Sequence, residues 1–448
     1  FSMITAMTLD GNLTITGGTL DTDSSNNYAL TVTGQCNLAG TLTCNGSTVS
    51  VGSGLTNTLG MRVQSGGTLT GGTGPHTYGT FNADASGTIN VTLTSNTTTI
   101  NGSYSDGIAW GMRSGPTFSN GGGDIHFTGS GNQYLYERNN TARTLGDVTV
   151  NKSGGNFQWY DGGGAHYTMA SLTITQGTFD TNEHDGANPR DLTVSGQVLV
   201  NGGTLTLNGS TCDFGDVEMS SGVINGDTST IDLNTGAVSG FLWEQTGGTW
   251  NHDTSTVNCK QTGGKHIRSN NWYNLNIETN ASTTNVIWRD NSGNHPVIYG
   301  DLTITTGKFI RDGSSLDDDL TVHGLTNIAS NGTFGVAADD TGDNTFNGLV
   351  TNNGTFCTSS GANNLNAGVR NLGTFTSNDT LTIGGTGGII EGNLETANVN
   401  VNLDSSLYFD ATGGTDTRVD MNDVDQTAPF TVSAWIDSRH ADSEYILQ

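Results

Sequence analysis

Three segments of this chain open with the same four residues: LTITGGTLDT at 13–22, LTITQGTFDT at 172–181 and LTITTGKFIR at 302–311. Each is followed by a second phrase of alternating apolar residues and Thr: LTVTG at 30–34, LTVSG at 192–196 and LTVHG at 320–324. Order that recurs at such long range indicates internal repeats, and a repeat protein buries its core between stacked neighbours. The sequence therefore predicts long units that start near residues 13, 172 and 302, with Leu13, Leu172 and Leu302 in equivalent inward positions.

A shorter beat runs inside the long units, in which Gly-Thr is followed by a large apolar residue. Successive beats, such as Leu20, Leu42 and Leu69, lie 22 and 27 residues apart. This is the length of one coil of a β-solenoid, whereas a sandwich domain needs about 100 residues. The phrases between beats have the period-2 pattern of half-buried strands, and no segment has a sustained helical period. We therefore expect an all-β fold, a parallel β-helix (β-solenoid) of roughly 18 coils at about 22 residues each, over residues 1–404.

Composition limits the partners. The chain has 448 residues, of which 66 are Gly and 5 Pro, and its 15 Lys plus Arg against 42 Asp plus Glu give a formal net charge of -27. Such a charge repels nucleic acid and anionic membranes and attracts cations. No run of 18 apolar residues exists to cross a bilayer. We expect neither a nucleic-acid partner nor insertion into a membrane.

The five cysteines are too few and too scattered for a disulfide framework. When the first two long units are aligned, Cys44 falls where Leu207 stands, and Cys212 falls where Val49 stands. This alignment predicts buried free thiols that pack as small apolar side chains. A bridge between Cys36 and Cys44 remains the alternative.

Two sections, 104–167 and 241–299, are rich in aromatic residues, and their layouts match as if one were a copy of the other. Exposed aromatic rings stack on sugars, whereas buried rings fill a wider coil, and the sequence leaves both interpretations open. The candidate carbohydrate contacts are Trp110, Trp159, Tyr160, Trp243, Trp272 and Trp288.

Acidic residues supply the remaining candidates. Asp339, Asp340 and Asp343 flank a Gly and offer the oxygen ligands that Ca²⁺ prefers, although an ordinary acidic turn has the same composition. Hydrolysis of a glycoside would need two carboxylates close together, for which Glu137 with Asp161 and Glu244 with Asp290 are candidates. None of these has a recognisable catalytic spacing. We therefore assign no catalytic residue and no required cofactor, and keep Ca²⁺ as a candidate ion.

The beat stops near residue 404, and the last segment resembles the opening of a laminin-G-like, concanavalin-A-like jelly-roll domain. The resemblance rests on Leu407 to Asp410, Arg418 to Met421 and Pro429 to Ile436. A complete jelly roll needs roughly 150 residues. The resemblance therefore implies that residues 405–448 are the truncated beginning of such a domain, an incomplete β-sandwich module.

The repeats themselves resemble those of large virion proteins of marine phages and of bacterial surface proteins. This second resemblance implies an extracellular or virion-surface location and a non-enzymatic structural or attachment role. Expected partners are surface glycans or other virion or surface proteins, with self-association as a further candidate. The alternatives are a tail-spike-like polysaccharide depolymerase and a purely structural filament or capsid component.

Overall fold

The computed structural model describes residues 1–402 except 55–59, 84–86, 113–114, 138–142, 161–166, 187, 235–239, 270, 290–294, 312–318, 337–341, 359 and 385–388. The described residues form strands and turns and contain no helix. The strands in chain order are β1 Met7–Leu9, β2 Leu13–Ile15, β3 Thr19–Asp21, β4 Leu30–Val32, β5 Cys36–Leu38, β6 Thr41–Thr43, β7 Val49–Val51, β8 Met61–Val63, β9 Thr68–Thr70, β10 His76–Tyr78, β11 Phe81–Ala83, β12 Asn90–Thr92, β13 Thr98–Ile100, β14 Ile108–Met112, β15 Thr117–Ser119, β16 Ile125–Gly129, β17 Gln133–Glu137, β18 Arg143–Thr144, β19 Asp147–Trp159, β20 Tyr167–Met169, β21 Ser171–Glu183, β22 Leu192–Thr206, β23 Thr211–Asn225, β24 Thr230–Leu233, β25 Phe241–Gln245, β26 Thr249–Asn251, β27 Thr256–Cys259, β28 Lys265–Arg268, β29 Asn271–Trp272, β30 Asn274–Glu278, β31 Asn285–Trp288, β32 Val297–Ile298, β33 Leu302–Arg311, β34 Leu320–Val322, β35 Thr326–Val336, β36 Asn344–Phe346, β37 Val350–Asn352, β38 Thr355–Cys357, β39 Asn363–Leu365, β40 Gly368–Asn371, β41 Thr374–Gly384, β42 Ile389–Glu391 and β43 Glu395–Asn402.

These strands pair in parallel with the strands one coil before and one coil after, which confirms the predicted β-solenoid. Partners along one ladder lie 19 to 27 residues apart, in line with the beat of the sequence. The ladder passes through Met7, Leu30, Val49, His76, Thr98, Ile125, Val148, Leu172, Val198, Val217, Trp243, Ile267, Trp288, Arg311 and Val336, then from Phe334 in the same strand through Phe356 and Phe375 to β43. Seventeen parallel pairings in series therefore lead from β1 to β43.

Three ladders run side by side over the first coils. One contains β1, β4 and β7; a second contains β2, β5 and β8; the third is a separate five-stranded sheet of β3, β6, β9, β12 and β15. Their apolar side chains point inward and form one continuous core along the rod. Equivalent inward residues stack on each other from coil to coil, which removes apolar surface from water along the whole length.

The long units do not contain a whole number of coils. Leu13 pairs with Cys36 in the second ladder, whereas Leu172 pairs with Val148 in the ladder of Met7. Leu302 lies on a ladder that runs back through Leu275. Leu172 and Leu302 are fully buried and Leu13 is half-buried. The expectation that the three leucines occupy equivalent inward positions is therefore wrong, because each successive unit starts on a different ladder.

Cys36, Cys44, Cys212 and Cys259 are buried and have free thiols. The prediction of packed thiols at Cys44 and Cys212 is confirmed. Burial raises the pKa of the Cys36 thiol to about 12, so this thiol stays protonated and unreactive at neutral pH. The segment that resembles a laminin-G-like domain, 405–448, lies outside the described residues.

Candidate functional site

The tryptophans of the aromatic sections lie in the core. Of the predicted carbohydrate contacts, Trp110 and Trp243 are completely buried, Trp272 and Trp288 are 1% exposed, and Trp159 is 5% exposed. Trp110 stacks on Phe81 one coil earlier, with ring centroids 4.6 Å apart. No ring face of these five side chains is open to a sugar, so the packing interpretation applies to them.

Tyr160, the sixth predicted contact, is half-buried at the surface and belongs to a cluster that we call the Tyr–His cluster, formed by Tyr134, Tyr136, Tyr160 and His184. The rings of Tyr160 and His184 are nearly parallel, with an interplanar angle of 11° and centroids 4.4 Å apart. Tyr136 meets Tyr160 edge to face at 5.1 Å. The ring centroids of Tyr134 and His184 are 5.1 Å apart, and Tyr134 completes the cluster.

Parallel pairing of neighbouring coils positions this cluster. Leu135 of β17 pairs with Trp159 of β19, and both side chains point into the core. Because side chains alternate between the two faces of a strand, the next residues, Tyr136 and Tyr160, both point outward and lie side by side. His184 follows one coil later, and its backbone NH donates to the carbonyl oxygen of Trp159.

The second aromatic section repeats this architecture with different outward residues. Phe241 pairs with His266 as Ile108 pairs with Tyr134, and a bulge follows both Ile108 and Phe241. The positions of Tyr134, Tyr136 and Tyr160 are taken there by His266, Arg268 and Arg289, since Ile267 pairs with Trp288 as Leu135 pairs with Trp159. The copy of the aromatic surface is thus a charged surface.

Arg268 makes the main contacts of that charged surface. Its guanidinium lies 4.9 Å from the centroid of the Phe241 ring and 3.2 Å from a carboxylate oxygen of Glu244. Both Arg268 and Glu244 are largely screened from solvent. The core beneath the two sections is therefore the same, while the chemistry presented outward differs.

A second column of rings lies on the surface of later coils. His252, Tyr299 and His323 stack along the rod, with centroids 4.9 Å and 5.5 Å apart and interplanar angles of 26° and 18°. Tyr273 lies 6.4 Å from His252 at its side. Tyr299 is 46% exposed in this column.

The two glutamates considered for catalysis are each paired with an arginine. Glu137 is buried, and its carboxylate accepts a hydrogen bond of 3.0 Å from Nε of Arg143. Tyr167 donates from its hydroxyl to the carbonyl oxygen of Tyr136 beside this pair. The second carboxylates of both candidate pairs, Asp161 and Asp290, lie outside the described residues.

Asp319 and Asp343 each accept a hydrogen bond from a backbone NH of the next coil. The backbone NH of Asp343 donates to a carboxylate oxygen of Asp319, and that of Ala362 donates to a carboxylate oxygen of Asp343, at 2.8 Å and 2.7 Å. Asp339 and Asp340 lie outside the described residues. Within the described part of the chain, no three His, Cys, Asp or Glu side chains are grouped as metal ligands. The Ca²⁺ site stays a prediction.

The sequence predicts a contact at Tyr160 but not at Tyr134, Tyr136 or His184. The period-2 alternation in QYLYE at 133–137 predicts that Tyr136 points outward, because Leu135 beside it points inward. No pattern in the sequence predicts that His184 lies beside Tyr160.

Comparison of the chain with protein-family models, with curated proteins and with solved structures gives no match. The part of the chain that the structure describes contains no helix long and apolar enough to cross a bilayer.

Proposed function

We propose that this protein is an elongated, non-enzymatic structural rod that attaches a virion or a cell to surface glycans through the Tyr–His cluster. The rod-like solenoid supports a structural or attachment role. The glycan contact is supported by one observation: Tyr136, Tyr160 and His184, from three successive coils, meet at the surface, and the buried Tyr134 packs against them.

Such a cluster suits sugars better than other ligands. Tyrosine offers an apolar ring and a hydroxyl that can donate or accept a hydrogen bond, which matches the apolar faces and hydroxyl groups of a sugar. The strongly negative chain would repel anionic partners at long range, so a neutral glycan is the expected ligand.

Binding of a panel of neutral glycans by the full chain tests the proposal. We expect Tyr160→Ala and Tyr136→Ala each to weaken binding about fivefold or more, since a stacked aromatic pair contributes about 1 kcal/mol. Tyr299→Ala is the matched control, because Tyr299 is an exposed tyrosine of the other ring column. Equal binding by wild type and both cluster variants would contradict the glycan contact.

The depolymerase alternative gives a different result in the same assay. If wild type shortens polysaccharide chains and Glu137→Gln or Glu244→Gln abolishes this cleavage, the protein is an enzyme rather than an attachment protein. We expect the chain lengths of the glycans to stay unchanged.

A further inference from the structure

The separate five-stranded sheet presents a surface unlike the other faces of the rod. In β3, β6, β9 and β12 the central residue points into the core, as Leu42 does, and the two flanking residues point outward. The other ladders have the opposite phase: β4, β7 and β10 bury both outer residues and present one. The five-stranded sheet therefore carries two outward residues per coil, and its neighbours carry one.

Threonine fills most of these outward positions. The parallel register aligns them in two columns, Thr19, Thr41, Thr68, Asn90 and Thr117 in one and Asp21, Thr43, Thr70, Thr92 and Ser119 in the other. Seven of the ten are Thr, and Asp21 is the only ionisable residue among them. We call this surface the threonine face.

The threonine face repeats in two directions. Along the rod, successive rows are separated by the inter-strand distance of about 4.8 Å, and across a row the two outward residues are about 6.7 Å apart, twice the rise of a strand. Each row offers a methyl group and a hydroxyl at both positions. The buried central residues and the parallel ladder hold these groups at fixed spacings.

The lack of charge on this face limits the class of ligand that it can bind. The chain has a formal net charge of -27, yet the ten outward positions hold a single carboxylate, so the face suits an uncharged ligand. That carboxylate, on Asp21, already accepts a hydrogen bond of 2.7 Å from the side-chain amide of Asn45. None of the ten is aromatic, whereas a surface that stacks on sugars needs exposed rings.

We propose that the threonine face binds ice. Water molecules on a face of an ice crystal form a rigid, uncharged lattice that repeats in two directions, with spacings close to those of the threonine rows. Hydroxyl groups can join such a lattice as donors and acceptors, and methyl groups between them order the adjacent water without competing for its hydrogen bonds. Rigidity favours this binding, since little side-chain entropy is lost when β-branched residues are already held in place. The inference is independent of the proposed glycan contact, because it concerns other residues on other strands.

The test compares wild type with Thr43→Lys and Thr70→Lys, which put a long charged side chain in the middle of the face. We expect the full chain to inhibit recrystallisation in frozen solution and to shape growing ice crystals, and each variant to require at least tenfold more protein for the same effect. Thr77→Lys on β10 is the matched control, since Thr77 points outward between the buried His76 and Tyr78 on another ladder. Circular dichroism should give the same strand spectrum for all four proteins.

Two outcomes would overturn the proposal. In the first, wild type leaves ice growth unchanged. In the second, Thr43→Lys and Thr77→Lys weaken the effect on ice equally, which would indicate that no particular face is used. The same proteins are also incubated with crystalline cellulose and chitin. Retention on those solids, lost in Thr43→Lys and accompanied by no effect on ice, would assign the face to a crystalline polysaccharide instead.

Discussion

Thr22 and Thr181 occupy the same buried corner in two copies of the long unit, and each donates a hydrogen bond of 2.7 Å to a backbone carbonyl oxygen of the next coil, that of Cys44 or Leu207. Each hydroxyl also accepts a hydrogen bond of 2.7 Å from a serine, Ser47 or Ser210. The equivalence of Cys44 and Leu207, inferred from the aligned sequences, is thus reproduced by the contacts around them.

The first prediction concerns this corner. Thr181→Val keeps the shape of the side chain but removes the donor. The carbonyl oxygen of Leu207 then keeps only the hydrogen bond from the backbone NH of Ser210, and the hydroxyl of Ser210 loses its acceptor. We expect a loss of about 1–3 kcal/mol in the free energy of unfolding, measured by urea denaturation. Thr173→Val, at a half-exposed position of β21, should change it by less than about 0.5 kcal/mol. Equal effects of the two substitutions would contradict the role of the corner.

The second prediction separates packing from ligand contact among the aromatic residues. Trp243 is fully buried and its ring centroid lies 4.7 Å from that of Trp250. Trp243→Ala should therefore lower the free energy of unfolding by about 3–5 kcal/mol, because it removes a large core side chain and leaves a cavity. Tyr299 is 46% exposed, so Tyr299→Ala should lower the free energy of unfolding much less. A Trp243→Ala protein of wild-type stability would show that the ring is not part of the core.

The third prediction concerns acid stability. His76 is buried, and its Nδ1 lies 2.9 Å from the hydroxyl of Tyr78. Burial lowers the pKa of His76 to about 4 from its usual 6.5. Between these values the unfolded chain binds a proton that the folded chain does not, so stability is lost as the pH falls from about 6.5 to 4.

His76→Phe removes the group that titrates and keeps an aromatic ring in the core. The difference in urea midpoint between wild type and His76→Phe should therefore shift in favour of the variant on going from pH 7 to pH 4.5. A difference that is independent of pH would contradict the assignment of this loss to His76.

The fourth prediction concerns alkaline pH. Lys152 is fully buried, and its ammonium donates to the carbonyl oxygen of Gly131 and to the side-chain oxygen of Gln133, at 2.7 Å and 3.0 Å. Burial lowers the pKa of Lys152 to about 8 from 10.5. The unfolded chain binds the extra proton between these values, so folding becomes more favourable as the pH rises from about 8 to 10.5.

Lys152→Met should abolish this gain, although it also leaves the two acceptor oxygens unpaired at every pH. We therefore compare the slopes of urea midpoint against pH between 7.5 and 10, where wild type should rise relative to the variant. Parallel slopes would mean that Lys152 keeps its usual pKa in the folded chain.

The sequence alone determined the class of fold, the length of a coil and the inward residues, because these follow from local patterns that recur. The Gly-Thr beat marks the strands whose central residue is buried, and the period-2 phrases mark the strands of the neighbouring ladders. The aligned copies also identified Cys44 and Cys212 as core residues. Each of these conclusions depends only on residues close together in the chain or on the comparison of one copy with another.

Only the tertiary structure decided how the faces and the surface clusters are composed. The long units are not whole multiples of a coil, so Leu13 and Leu172 lie on different ladders although they open identical phrases. Alternation along the strand turns Trp159 inward and its neighbour Tyr160 outward, but only the stacking of successive coils brings His184 beside Tyr160 at the surface. The threonine face likewise exists only because successive coils stack in register, which sets neighbouring rows at the fixed distance of a parallel ladder.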